Sequence, residues 1–252
     1  MKIDILTIFP EMFTPITEHS MIGRACKSGI LNINLINIRD FVMNKHKKVD
    51  DTPFGGGAGM VMMAEPFFNA LENIDAKGKK IIYLSPKGKI LDQTKVEELS
   101  KLDEIVVLCG HYEGIDERII NYWDVEEISI GDYILTGGEI PAMILIDSVT
   151  RMIPGVLGSS DSHSEESIYS GLLEYPQFTK PRDFQGISVP EILLSGNHEN
   201  MELWKFQQSL EITRTRRPDL FNKFIEDKKK FTKKELKILE KLLKDLDNEE
   251  KI

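Results

Sequence analysis

Residues 129–141 read Ser-Ile-Gly-Asp-Tyr-Ile-Leu-Thr-Gly-Gly-Glu-Ile-Pro. An apolar stretch of strand type runs into a nearly uncharged, glycine-rich turn, and a new helix opens at Pro141. Two similar strand-to-loop edges precede it, Tyr-Leu-Ser-Pro-Lys-Gly at 83–88 and Leu-Cys-Gly-His-Tyr-Glu-Gly at 108–114. Three such loops can share one rim of one sheet, and the rim at the strand ends is where an open α/β sheet binds a small ligand. Gly137 and Gly138 call for positive φ or a close backbone approach, though an ordinary turn has the same composition. The stretch has no basic residue matched to a phosphate, so the rim suits a neutral, flat group such as adenine.

The rest of the first half alternates strand and helix patterns. Residues 2–9, 31–38, 80–84, 104–109 and 125–130 read as strands, and 11–20, 21–27, 66–75, 92–100, 116–122 and 141–153 as helices, with Asp92 as an N-cap. Such alternation predicts a mainly parallel sheet covered on both faces. Residues 39–59 break the pattern, and a loop of that length is usually functional or disordered. Its glycine run at 55–59 is followed by Met60, so GxGxxG fails, and no GK[ST] follows. A nicotinamide or ATP site of the usual kind is therefore not expected.

Beyond Pro154-Gly155, residues 158–170 are polar and serine-rich, with no apolar period, as in a linker or mobile loop. Helical patterns then occupy 199–213, 218–227 and 233–246, the last with an amphipathic leucine face. The expected architecture is an α/β domain at 1–158, a flexible linker at 159–175, and a small all-helical domain at 176–252.

The 252 residues carry a formal charge of −9, so affinity for a nucleic acid would have to come from a local basic patch. Arg214, Arg216 and Arg217, near His198 and Lys205, supply one candidate, although a solvated face explains most such runs. Cys26 and Cys109 make neither a CxxC nor a Cys/His cluster, which argues against zinc and against a disulfide framework and favours a reducing compartment. With no apolar run long enough to span a membrane, a soluble, cytoplasmic protein is expected. Asp116 and Glu117 read as acids at a helix N-terminus, and Arg151 as a cation at a helix C-terminus or, more sharply, a catalytic guanidinium. His111 reads as a hydrogen-bonded loop histidine.

The stretches 83–86, 109–118 and 129–141, with 8–13 (Ile-Phe-Pro-Glu-Met-Phe), 45–47, 49–51, 53–63, 153–158, 171–174 and 195–198, closely resemble the bacterial tRNA (guanine-N1)-methyltransferases of the SPOUT class over nearly the whole chain. The resemblance implies a homodimer, S-adenosylmethionine held in a trefoil knot, active sites shared between subunits, a magnesium requirement, and methylation of N1 of guanosine-37 in tRNA. It places the cofactor on Tyr83, Leu84, Ser85 and Pro86; on Gly110, Glu113 and Gly114; and on Ser129, Ile130, Gly131, Tyr133, Leu135, Gly137, Gly138 and Pro141. It gives guanine binding and catalysis to Asp50, Arg151 and an acid in the linker, while the basic cluster makes the helical domain the expected tRNA-binding part. N1 of guanine must lose a proton, which calls for a carboxylate, while charge growing on O6 calls for a cation. The family's linker acid is an aspartate before Ser-Phe; here Glu166 precedes Ser167-Ile168, and Glu166 is expected to be the base, with Asp161 and Glu165 nearby but out of register. His111 stands where the family often has Arg or His. The competing expectations are a non-catalytic RNA-binding relative of the same fold and an enzyme acting on a small nucleotide-like substrate.

Overall fold

The computed structural model describes residues 1–43, 45–157, 171–226 and 231–249. Asp161, Glu165 and the expected base Glu166 lie outside the described residues, as does most of the predicted linker. The chain divides into two compact units, 1–160 and 161–252.

The first unit is built on a five-stranded sheet in the order β2-β1-β6-β5-β7, with β1 Lys2–Thr7, β2 Asn32–Asn37, β5 Lys80–Ile90, β6 Glu104–Leu108 and β7 Glu126–Ser129. All neighbouring pairs are parallel. Alternate side chains explain why these strands read as continuous apolar runs. Ile3, Ile5, Ile82, Leu84, Ile105 and Val107 enter one core, against α2 (Ser20–Lys27), α4 (Gln93–Ser100) and α6 (Glu139–Thr150). Leu6, Ile81, Val106 and Leu108 enter the opposite core, against α3 (Ala64–Asn73) and α5 (Glu117–Tyr122). Parallel strands all finish at the same edge, so the ends of β5, β6 and β7 meet on one rim.

Three local features depart from the sequence reading. The helix expected at 11–20 is a 3-10 turn, Pro10–Phe13, followed by a short α1, Thr14–Glu18, broken at His19, whose backbone is extended. The irregular stretch 39–59 contains half of a ribbon, since β3 (Asp50–Asp51) pairs antiparallel with β4 (Val61–Met62). The strand expected to end at Leu84 instead leaves the ladder there and rejoins β7 at Lys89, both residues facing Ile128. Pro86 has no N–H to offer a ladder, so the segment 85–88 bulges over the rim.

The second unit has α7 (His198–Arg216), α8 (Pro218–Ile225) and α9 (Lys233–Glu249) around a core of Leu172, Leu210, Phe221, Leu239 and Leu242. The expectation of an all-helical unit needs correction. Asp183–Phe184 (β8) and Ile187–Ser188 (β9) form an antiparallel ribbon. Gln185 and Gly186 both take positive φ, 55° and 82°, the geometry of a tight hairpin turn.

The Asp92 side chain accepts from the Lys95 backbone N–H at 2.8 Å, capping α4 as the sequence predicts. Asp92→Ala should lower stability by about 1 kcal/mol, and Asp92→Asn by much less; urea unfolding of the three proteins side by side checks this.

Candidate active site

The loops at 83–87, 110–117 and 127–138, with Pro141, enclose a cavity of about 360 Å³. That size lies in the range of small-molecule sites. Every residue on which the family resemblance places the cofactor lines it, from Tyr83 to Pro141. Its charged lining is mainly acidic: Glu113, Glu117 and Glu127 against Lys87, whose Nζ lies 3.4 Å from Glu117.

Backbone contacts hold the loops together. The Gly138 N–H donates to the Gly110 carbonyl at 2.8 Å. A Cβ at Gly138 would stand 2.8 Å from the Cα of Cys109 and from the Gly110 nitrogen, so only glycine allows this approach. A Cβ at Gly110 would likewise meet the Tyr83 ring at 2.7 Å. Ser129 Oγ donates to the Gly131 carbonyl at 3.2 Å, turning the chain out of β7. On the other side, the Met62 and Asp116 N–H groups bond Gly114 and Met62 carbonyls at 2.9 Å, so β4 pins the loop that follows β6. Burial pushes the Tyr83 hydroxyl pKa up, with a backbone hydrogen bond at Ile115 opposing it. Burial also holds the Cys109 thiol well above its usual range, which keeps it protonated beneath the rim.

The residue that sequence reasoning missed is Glu139. Its side chain is 1% exposed at the first position of α6. Thr7 Oγ1, at the end of β1, donates to its Oε1 at 2.6 Å, and His111 Nε2, from the loop after β6, lies 2.7 Å from its Oε2. His111 also packs edge-on against Phe9, with ring centroids 5.1 Å apart. The expectation of a hydrogen-bonded loop histidine thus meets its partner. The only sequence signal for Glu139 was its place beside Gly137-Gly138, and an acid in a first helical turn reads equally well as a solvated dipole partner.

The other assigned residues are not at the cavity. Asp50 is half-buried in the ribbon opposite Met62 and lines neither this cavity nor the adjoining one, which Asp51 and Phe54 line. Arg151 is half-buried and is the C-cap of α6, at the opposite end of that helix from Gly138. Asp116 caps α5 through the Arg118 N–H at 2.9 Å, and its bond to the Arg118 guanidinium holds its carboxyl below the usual range. In the second unit, Lys205 pairs with Glu202 at 2.7 Å and stands over the Tyr175 ring, and Arg217 pairs with Asp219 at 2.7 Å. Arg216 is exposed, Arg214 is half-buried, and His198 opens α7. Among the described residues, no group of three or more His, Cys, Asp or Glu side chains is placed to hold a metal, and no helix is long and apolar enough to cross a membrane.

A parallel sheet whose last three strand ends fold over one glycine-walled, acid-lined cavity defines an α/β protein with a cavity of small-molecule size at its rim. Comparison with known proteins narrows the class. The model of the family described as tRNA (Guanine-1)-methyltransferase TrmD matches residues 1–223. A protein of Ruminiclostridium cellulolyticum named tRNA (guanine-N(1)-)-methyltransferase is 58% identical over 226 residues, covering 88% of this chain and 97% of its own. Proteins of the same name from Clostridium perfringens and Clostridium botulinum are 54% and 53% identical, covering 95% and 98% of this chain and 99% and 100% of theirs. The chain belongs to the tRNA (guanine-N1)-methyltransferase family.

Glu139→Ala would leave the buried Thr7 hydroxyl and the half-buried His111 imidazole without the partner they share. It should destabilise the protein by about 2–3 kcal/mol. Glu139→Gln keeps an acceptor for Thr7 and can offer its amide to the imidazole, so it should cost less than half as much. Equal losses in urea unfolding would show that the two hydrogen bonds do not anchor the rim.

Proposed function

We propose that this protein is an S-adenosylmethionine-dependent tRNA methyltransferase that modifies N1 of guanosine-37, beside the anticodon. The observation that carries the reading is the rim cavity of a chain belonging to the tRNA (guanine-N1)-methyltransferase family. The residues present fit the methyl donor. Glycines let the backbone close on a flat base, and the carboxylates of Glu113, Glu117 and Glu127 favour a cation. S-adenosylmethionine supplies, when bound, a methyl group on a positively charged sulfur. Residues 83–86, 110–114 and 129–141 bind and orient it and keep water out.

The chemistry on the guanine belongs to residues elsewhere. Glu166 accepts the proton that leaves N1, and Arg151 stabilises the negative charge growing on O6. Asp50 is read as a contact to the guanine edge. Fixing these groups in register with the methyl donor supplies much of the remaining acceleration. Magnesium is expected from the resemblance to the family, but it enters no step here.

Distance supports a shared site. α6 has twelve residues between its caps Gly138 and Arg151, so Arg151 stands about 20 Å along the helix axis from the Gly138 edge of the cavity in the same chain. A second subunit is the direct way to bring an arginine to that edge. On α6, Ile140 and Ile144 are 48% and 43% exposed and one turn apart, and Tyr133, Ile134 and Leu135 are exposed nearby in sequence. Such a surface suits a homodimer. We read the three rim loops as windings of a trefoil knot, a topology that few folds adopt. Its support is that β6 lies between β1 and β5, while the chain from β6 passes beyond β5 to reach the sheet edge at β7. The second unit is read as the tRNA-binding part, through His198, Lys205, Arg214, Arg216 and Arg217; the expected linker at 159–175 is shortened at its end, where Leu172 already packs into the core of that unit, and the stretch before it is read as delivering Glu166.

Labelled methyl should pass from S-adenosylmethionine to an unmodified tRNA transcript with guanosine at position 37, and not to one lacking it. No transfer to either would leave a non-catalytic RNA-binding protein. Glu166→Ala should slow single-turnover transfer by about 10²–10⁴-fold with tRNA binding unchanged; an unchanged rate removes Glu166 as the base.

The shared site has its own test. Arg151→Ala and Leu135→Trp, the latter filling the cavity, should each be inactive alone. Mixed one to one with exchange of subunits, they should recover roughly a quarter of the wild-type rate, because each mixed dimer keeps one complete site. No recovery in a mixture shown to contain mixed dimers would place Arg151 and the cavity of one site in the same subunit.

A further inference from the structure

Lys233, Lys237, Lys241 and Lys244 are all exposed on α9. At 3.6 residues per turn they fall within an arc of about 80° and span about 16 Å of the helix axis. Packing fixes the direction of this face: Leu239 and Leu242, 1% and 8% exposed, turn the opposite side of α9 into the core of the second unit. Among the residues whose side chains are described, which on α9 end at Lys244, none of the four has a carboxylate within ion-pair distance, whereas Lys234, at the margin of the arc, is paired with Glu199. The family match ends at residue 223, so α9 lies beyond the matched part of the chain.

We infer that this lysine face is a binding surface for the phosphate backbone of tRNA, additional to the arginines at the end of α7. The inference rests on the tRNA-methyltransferase reading above. In a chain of net charge −9, a polyanion is held only where positive charge is concentrated. Lysines four residues apart step by about 6 Å along the helix, comparable to the step between neighbouring phosphates of one RNA strand. The earlier candidate, the arginine cluster, is partly neutralised, since Arg217 is paired with Asp219. A membrane surface is the poorer fit, because an interfacial helix needs a free apolar face and that of α9 is buried against α7 and α8. Lysine also suits such a surface, because its compact point charge follows a backbone without demanding a bidentate geometry.

The test is tRNA affinity as a function of salt for the full chain and for K233Q/K237Q/K241Q/K244Q, in which glutamine keeps the helix propensity of lysine. The slope of log affinity against log salt should fall in magnitude by roughly 0.7 for each phosphate no longer neutralised, up to about 3 in all. Affinity at low salt should drop at least tenfold. S-adenosylmethionine affinity and the melting temperature should not change. Arginine at all four positions should restore binding, and Glu240→Lys, at the margin of the same face, should strengthen it. An unchanged slope, with wild-type methylation of tRNA intact, overturns this inference alone. Failure of the wild-type protein to bind or methylate tRNA overturns it together with the reading beneath it. Lysine-dependent binding to phosphatidylserine vesicles with an unaltered tRNA slope would also overturn it, in favour of a membrane surface.

Discussion

The Glu139 carboxylate is the constraint on which the rim depends. Its two oxygens are bonded to side chains from two different strand ends, Thr7 at the end of β1 and His111 after β6, and its own backbone begins α6. Three segments distant in sequence are thereby fixed to one buried point. A carboxylate taken out of water is tolerated only when its lone pairs find donors, so the loops have little freedom to separate once it is buried. The close approach of Gly138 to Gly110 follows from the same anchoring. At 2.8 Å the backbone hydrogen bond between them leaves no room for a side chain, and the cavity wall at that point is main chain.

A wall of main chain is rigid and nearly uncharged, which suits recognition of a flat group, and on the proposed reading the carboxylates at the cavity, Glu113, Glu117 and Glu127, serve the charge of the methyl donor and not the guanine. Cys109, the thiol nearest this wall, is fully buried and held protonated by its surroundings. The proposed chemistry therefore has to be brought in from elsewhere, and the length of α6 sets the terms. A helix that begins at the cavity cannot bring its own C-terminal arginine back to it. On the proposed reading, the exposed isoleucines of α6 and the remoteness of Arg151 are two consequences of one arrangement, in which each subunit lends its partner what its own cavity lacks.

The sheet was legible in the sequence because both of its faces are buried. Strands such as Ile105 to Leu108 show unbroken apolar runs, and each side chain has a core to enter. The rim loops were legible as well, because glycine and proline at strand ends have a specific steric meaning. The ribbon of Asp50 and Asp51 with Val61 and Met62 was not, since two residues are too few to display a period of two. The return of β5 to β7 at Lys89 was hidden because local pattern cannot register a strand that resumes beyond a bulge. Glu139 was hidden for a different reason: its burial is decided by Thr7 and His111, 132 and 28 residues away, and an acid at a helix start looks the same exposed or buried. The Gln185-Gly186 turn escaped because glutamine is not a residue that turn chemistry singles out.

The net charge, which at first argues against a nucleic-acid partner, acquires a different meaning once charge is located. The acids Glu113, Glu117 and Glu127 stand at the cavity in the first unit, where a ligand carrying positive charge is favoured. The exposed lysines of α9 stand in the second unit, on a face that packing turns outward. Salt screens exposed charges beyond about 8–10 Å, so a phosphate held at such a face responds to the lysines around it and hardly at all to the sum over the chain. An acidic protein can then hold a cation at one place and a polyanion at another, and the total of −9 records only that the carboxylates outnumber the basic groups.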